Sequence, residues 1–309
     1  MAAGIIAAEA LPADKRRAFR AGLNSGTIQR LPGAFNPLTA KLVQEIGFEG
    51  VYVSGAVLAA DLGLPDIGLT TLTEVSERGQ QIARVTDLPV LLDADTGFGE
   101  PMSAARTVTV LEDAGIAGCH FEDQVNPKRC GHLDGKAVVS TGEMVRRIRA
   151  AVAARRDPDF VICARTDARA LEGLDAAVDR AKAYADAGAD LIFTEALQDE
   201  SEFATFRAAV DTPLLANMTE FGKSELISAG ALQEIGYNAV IYPVTTLRLA
   251  MFAVEQGLRE IAETGTQSAL LGQMQHRSRL YDLIGYERYN EFDTSIFNFS
   301  IAAHNGSAR

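Results

Sequence analysis

Cysteine is scarce. Only Cys119, Cys130 and Cys163 occur in 309 residues, too few and too odd in number for a disulfide framework, and this usage predicts a reducing cytoplasm. Long apolar runs are missing too. None approaches the ~20 residues of a membrane-spanning helix, so no membrane partner is expected. Met1 to Ala10 is Ala-rich, but no basic residue precedes it and Glu9 interrupts it, so it does not read as a signal peptide. Three functional signatures are absent as well. No Gly-x-Gly-x-x-Gly turn follows the first apolar run, which disfavours an open doubly wound sheet. No Gly-x-Ser-x-Gly elbow supports a Ser-His-Asp triad. The four histidines show no zinc-type spacing with the cysteines.

What is present is an ordinary enzyme composition, 47% apolar and 23% charged. The formal charge of −12 makes nucleic acid or an anionic membrane surface a poor partner. An anionic substrate would need a local cluster of Arg, Lys or metal. No linker or low-complexity stretch divides the chain, so residues 1–309 read as one domain.

A recurring junction organises that domain. Glu45-Ile46-Gly47 leads into Gly50-Val51-Tyr52-Val53, and Asp113-Ala114-Gly115 leads into Gly118-Cys119-His120-Phe121. Asp186-Ala187-Gly188 and Glu234-Ile235-Gly236 lead into Asp190–Phe193 and Ala239–Tyr242 in the same way. Each junction reads as a helix closed by glycine and followed by a buried strand. Eight apolar runs predict strands near Ile28–Leu31, Gly50–Ser54, Val90–Asp93, Gly118–Glu122, Phe160–Arg165, Leu191–Glu195, Leu214–Asn217 and Val240–Pro243. Helical patterns separate most of them, and the set predicts a (β/α)₈ TIM-type barrel of class α/β.

Polar residues stand at or just past the strand ends: Ser54, Asp93, Asp95, Glu122, Asp123, Arg165, Asp167, Glu195, Asn217 and Thr219. In a barrel these ends converge on the catalytic face, although any single one could merely cap the next helix. Additional C-terminal helices are expected from about residue 246. Leu247, Met251, Val254, Leu258 and Ile261 recur at helical spacing. A further helix is predicted from about Gln267 to Leu283, then an aromatic tail. These segments either pack on the barrel's own outer ring or meet a neighbouring subunit.

Two units carry chemistry. In Asp93-Ala94-Asp95 the alternation of a strand would turn both carboxylates toward one ion, and sparse oxygen ligands suit Mg²⁺. Alone, Asp-x-Asp is weak, since two capping aspartates would look the same. Glu122, ending the next strand, could hold a metal-bound water. In Lys128-Arg129-Cys130-Gly131-His132 a thiol stands among cations that would favour its thiolate. His132 reads as a charge partner for Cys130 or a donor to substrate. The segment Asn126 to Lys136 reads as a loop able to close over a ligand. Cys119 and Cys163, inside strands, read as small buried hydrophobes.

The two units in order, with Tyr52-Val53-Ser54-Gly55, Gly63-Leu64-Pro65-Asp66, Ala164-Arg165-Thr166-Asp167 and Asn217-Met218-Thr219-Glu220-Phe221-Gly222, resemble the isocitrate lyase / phosphoenolpyruvate mutase superfamily. The similarity runs from about Leu31 to Phe299 and is nearest to the branch that cleaves 2-methylisocitrate to pyruvate and succinate. It implies Asp93 and Asp95 at Mg²⁺ (Mn²⁺ as an alternative), with Glu122 in the outer shell. It implies a di- or tricarboxylate held by Ser54, Gly55, Ala56, Cys130, Gly131, Arg165, Glu195, Asn217, Met218, Thr219, Arg248 and Arg277. It also implies a homotetramer that exchanges C-terminal helices.

Cys130 is the expected general acid, and Asp66 or Tyr52 the expected base. Two positions depart from the family pattern. Ala56 stands where many relatives have glycine, and Thr194 where many have proline before the glutamate. Related lyases acting on 2,3-dimethylmalate or isocitrate are the nearest alternatives, although Arg129 and the compact length disfavour the latter. A mutase would not need the acid thiol. A non-catalytic binding protein would tolerate loss of Asp95 or Cys130, and both are present.

Overall fold

The computed structural model describes residues 8–129, 131 and 135–298. Eight parallel strands alternate with helices: β1 (Gln29–Pro32), β2 (Val51–Val53), β3 (Val90–Asp93), β4 (Gly118–Glu122), β5 (Val161–Thr166), β6 (Leu191–Thr194), β7 (Leu214–Asn217) and β8 (Ala239–Tyr242). Their order is β1-β8-β7-β6-β5-β4-β3-β2, so chain neighbours are sheet neighbours and the first strand meets the last. The seam between β1 and β2 is thin, a single Gly33–Tyr52 bridge with the Ala34 N–H donating to the Tyr52 carbonyl at 2.9 Å. The result is the expected (β/α)₈ barrel, nearly closed, with each strand limit within one residue of its predicted place.

Local chemistry sets the helix ends. Thr71 with Glu74, and Ser140 with Glu143, form reciprocal capping boxes that satisfy the first free N–H groups of their helices. The junction glycines Gly47, Gly115, Gly188 and Gly236 all take positive φ, as their predicted role requires.

Strand alternation then divides the side chains. Val53, Leu92, Cys119, Phe121, Ile162 and Ile192 pack outward against the helices. Tyr52, Leu91, Cys163, Leu191, Phe193, Leu215 and Ile241 fill the barrel's interior. Cys119 and Cys163 are fully buried, and burial pushes both thiols up, as expected of inert core residues. Helix Pro12–Leu23 closes the bottom of the barrel by inserting Phe19 and Leu23 into the interior cluster. Its Lys15 and Arg16 donate to the carbonyls of Thr86 and Ile116, in the turns that enter β3 and β4.

The C-terminal region differs from its prediction. The span 267–283 is not one helix: a short 3-10 turn, Ser268–Gln273, ends at an extended Met274, and helix Arg277–Ile284 restarts after His276. The His276 ring accepts from the Ser278 N–H and so caps that new start. The aromatic tail is itself helical over Tyr286–Phe297. Helix Thr245–Thr264 carries the predicted apolar stripe; its first turn touches the barrel through Thr246 and Arg248, but the helix has no buried residue. Leu249, Phe252 and Leu258 are each more than 60% exposed. Among the described residues no helix is long and apolar enough to cross a membrane.

Candidate active site

At the C-terminal mouth the same alternation turns Asp93, Glu122, Arg165, Asp167, Glu195 and Asn217 inward, each at or just past a strand end. Asp93, Arg165, Glu195 and Asn217 line a cavity of about 320 Å³ with Tyr52, Ser54, Ala56, Asp66, Lys128 and Thr219, while Glu122 and Asp167 are buried against Arg165. Arg248 and Phe221 stand at its edge.

The two aspartates meet by a route the sequence did not suggest. β3 ends at Asp93, and Asp95 then takes the left-handed conformation (φ 47°), with its N–H donating to Asp93 Oδ1 at 3.1 Å. A turn, rather than strand alternation, brings the carboxylates together. Gly55 lies against both: its N–H donates to Asp93 Oδ2 at 3.0 Å. A Cβ there would stand 2.9 Å from Asp93 Oδ2 and 3.2 Å from Asp95 Oδ1.

Lys128 reaches into this acidic corner, not toward the solvent side of its loop. Its ammonium is 2.8 Å from Asp95 Oδ1 and also pairs with Asp66. Burial opposes its charge, but Glu122, Asp95, Asp93 and Asp66 together raise its pKa. Burial pushes Asp95 up to about 6, with Asp93 adding to the rise and Lys128 opposing it. Glu122 is raised well above the carboxylate range by burial, and its Oε1 is buried with no hydrogen-bond partner.

These residues fit a hard divalent cation: two converging carboxylates, a third with an unused oxygen, and a lysine cation already drawn to the spot. Among the described residues no three His, Cys, Asp or Glu side chains cluster as a complete metal site. An ion here would therefore take its other ligands from substrate or water.

The adjoining wall carries arginine. The Arg165 guanidinium grips Asp167 through Nε (2.9 Å) and Nη2 (3.1 Å), lies 3.4 Å from Glu195 Oε2, and stacks on Phe193 at 5.1 Å. Asn217 Nδ2 is 3.3 Å from Glu195 Oε1. Arg248 donates to Glu220 Oε2 at 2.6 Å and reaches Thr219 Oγ1 at 3.5 Å. Gly131 is pressed onto this wall, since a Cβ there would be 2.4 Å from both Arg165 Nη2 and Glu195 Cγ.

Two expected residues, Met218 and Arg277, are not brought to the cavity as the sequence suggested. Met218 points outward, one step past the inward Asn217, and its sulfur accepts from the Ile227 N–H within the outer core. Arg277 is exposed at the start of its helix. The neighbouring Arg279 pairs at 2.6 Å with Glu45, in the last turn of helix Pro37–Ile46, which leads back toward the barrel's bottom. Thr194 is buried with an unpartnered hydroxyl outside the cavity, so its departure from the family pattern does not alter the lining. Cys130 and His132 lie outside the described residues.

His120 is the residue that sequence reasoning passed over. It shares the inward face of β4 with Glu122, and its Nε2 is 2.7 Å from the Tyr52 hydroxyl and 3.5 Å from Asp93 Oδ1. Burial lowers its pKa to about 4, so it is neutral at physiological pH. The period-2 spacing from Glu122 was the available signal. Burial, helped by Asp93, raises Tyr52 well above the usual phenol range. Its hydroxyl thus keeps its proton and is a poor base.

The phosphoenolpyruvate phosphomutase family model matches residues 19–262. A Corynebacterium glutamicum protein named "Probable 2-methylisocitrate lyase 2" is 68% identical, over 96% of this chain and 97% of its own. The chain belongs to the 2-methylisocitrate lyases of the phosphoenolpyruvate mutase/isocitrate lyase superfamily. A 2-methylisocitrate lyase of Aeropyrum pernix is 50% identical, with 89% of this chain and 90% of its own covered. Among solved structures, a phosphonopyruvate hydrolase in complex with oxalate and Mg²⁺ superposes with a TM-score of 0.84 at 29% identity, covering 92% of this chain and 99% of that one. The superfamily thus includes a barrel of this shape that carries Mg²⁺ together with a small dicarboxylate.

Proposed function

We propose that this protein is a Mg²⁺-dependent carbon–carbon lyase that cleaves 2-methylisocitrate to pyruvate and succinate, as a single barrel whose C-terminal helices serve assembly. The observation that carries the reading is the cavity shared by Asp93 and the Arg165 guanidinium, with Asp95 turned against Asp93 beside Gly55. A substrate with three carboxylates needs cationic partners at both ends, and an otherwise acidic protein places Arg165 and Arg248 at this cavity.

In this reading the 2-hydroxy-acid end lies at Asp93 and Asp95, with Glu122 behind them. Bound Mg²⁺ supplies Lewis-acid polarisation of that end. Ser54, Gly55 and Ala56 contact the same end, while Arg165, Glu195, Asn217, Thr219 and Arg248 hold the remaining carboxylates. Asp66 takes the hydroxyl proton, because Tyr52 keeps its own. As the hydroxyl carbon becomes the carbonyl of pyruvate, the carbon–carbon bond breaks. Its electron pair passes to the succinyl fragment as an aci-carboxylate, which the guanidinium of Arg165 stabilises. Cys130 then gives its thiol proton to that fragment's carbon, completing succinate.

The test is pyruvate release from purified protein offered 2-methylisocitrate, isocitrate and 2,3-dimethylmalate, with and without Mg²⁺. Mg²⁺-dependent release that favours 2-methylisocitrate is expected. Preference for another acid would overturn the substrate, and no cleavage of any would overturn the lyase.

The uncovered face of helix Thr245–Thr264 supports assembly into a homotetramer, since exposed apolar side chains of this density demand a cover. Light scattering coupled to size exclusion is expected to return four times the 33.0 kDa chain mass. A monomer would sink the assembly reading.

A further inference from the structure

Lys136 enters the sequence reading only as the far end of a loop. In the fold its side chain is 2% exposed, unusual for lysine. Its ammonium donates to the Gly131 carbonyl and lies 2.9 Å from Asp167 Oδ1. That carboxylate also grips Arg165, so one buried anion ties the loop glycine to the guanidinium against which the glycine is pressed.

The anchor is itself fixed from behind. The Asp167 N–H donates to Asp123 Oδ1 at 2.9 Å. Asp123 in turn accepts from Thr166, Tyr184 and Arg180. The base of the loop is held independently. The Val125 N–H donates to the Ala137 carbonyl and the Val139 N–H to that of Asp123, each at 2.8 Å, and the Gln124 side chain brackets the Arg129 backbone with two 2.8 Å bonds. Among the described residues those bonds end at Arg129 and Ala137, and the Lys136 ammonium reaches on to the Gly131 carbonyl.

We infer that Lys136 is a positioning residue: through Asp167 it holds Gly131 against Arg165 and Glu195, so that the loop backbone and the substrate-binding guanidinium are set as one unit. Lys136 touches neither substrate nor reacting atoms. Its loss would leave Arg165 paired with Asp167 and the cavity formed, but would release the Gly131 carbonyl and leave the backbone at that point misplaced.

The kinetic arm of the test rests on the lyase reading, and the exchange arm does not. In Lys136→Met, kcat for 2-methylisocitrate is expected to fall about 100-fold, the cost of a misplacement near 1 Å, with KM close to wild type. Amide hydrogen exchange at Gly131 is expected to run about tenfold faster, because release of its carbonyl lets the backbone there open more often, with exchange in β1 and β8 unchanged. If Lys136→Met fails to fold, Asp167→Asn keeps the side-chain shape; it too should speed exchange at Gly131, while KM rises because Arg165 loses its clamp. Wild-type exchange at Gly131 in both variants, or in Asp167→Asn alone where Lys136→Met does not fold, would overturn the inference. So would fast exchange with undiminished kcat. Wild-type protein that cleaves none of the acids would instead overturn the lyase reading, leaving the exchange arm to judge the attachment.

Discussion

Asp93→Ala is expected to abolish measurable Mg²⁺ binding and to cut turnover by about 10³-fold or more, the equivalent of several kcal/mol of lost charge stabilisation. Asp93 does three things at once. It receives the Gly55 N–H at the start of the helix after β2, it receives the Asp95 N–H and so shapes the left-handed turn, and it faces the cavity. Asp93→Asn separates these tasks, because an amide oxygen can still accept one of the two N–H groups while the charge is gone. Calorimetric Mg²⁺ titration of both variants, beside pyruvate release, reads the result. Wild-type Mg²⁺ affinity in Asp93→Ala would show that the ion binds elsewhere.

Arg165→Met carries the second large effect, and it falls on stability as well as on activity. The guanidinium is buried among Asp167, Glu195 and Glu122, the last at 3.3 Å. Each of those carboxylates is at most 1% exposed at its side chain. Removing the cation leaves buried negative charge without its counterpart, which typically costs about 3–5 kcal/mol. For a chain of this size that corresponds to a melting temperature lower by roughly 10 °C. Lys136 still pairs with Asp167, so the site is not stripped of positive charge. Differential scanning calorimetry with a parallel assay would show both losses. An unchanged melting temperature would mean that the carboxylates rearrange or take up protons at little cost.

Much of this was legible in the sequence because buried parallel strands announce themselves twice, as apolar runs and as glycine-closed junctions. The alternation within β5 or β6 also fixes which polar residue faces in: Arg165 and Glu195 stand two positions past Cys163 and Phe193 of the interior cluster. The same count would have turned Met218 outward and His120 inward. Other features carried no such signal. A lysine side chain can swing through several ångströms, so nothing local told that Lys128 reaches Asp95 and Asp66, or that Lys136 reaches Asp167. The convergence of Asp93 and Asp95 depends on a left-handed residue that is not glycine, a conformation few sequence patterns announce. The exposed position of Arg277 follows from how the C-terminal helices break and turn, and helix boundaries near Met274 are set by weak capping rather than by periodicity.

Phe19 and Leu23 complete the packed hydrocarbon floor beneath the cavity. With its lower end stoppered by hydrocarbon, the cavity has only the upper mouth for traffic. On the lyase reading one molecule enters by that mouth and two must leave by it. The side chains that fill the barrel below the cavity, with helix Pro12–Leu23 beneath them, thus give substrate entry and product departure one shared route.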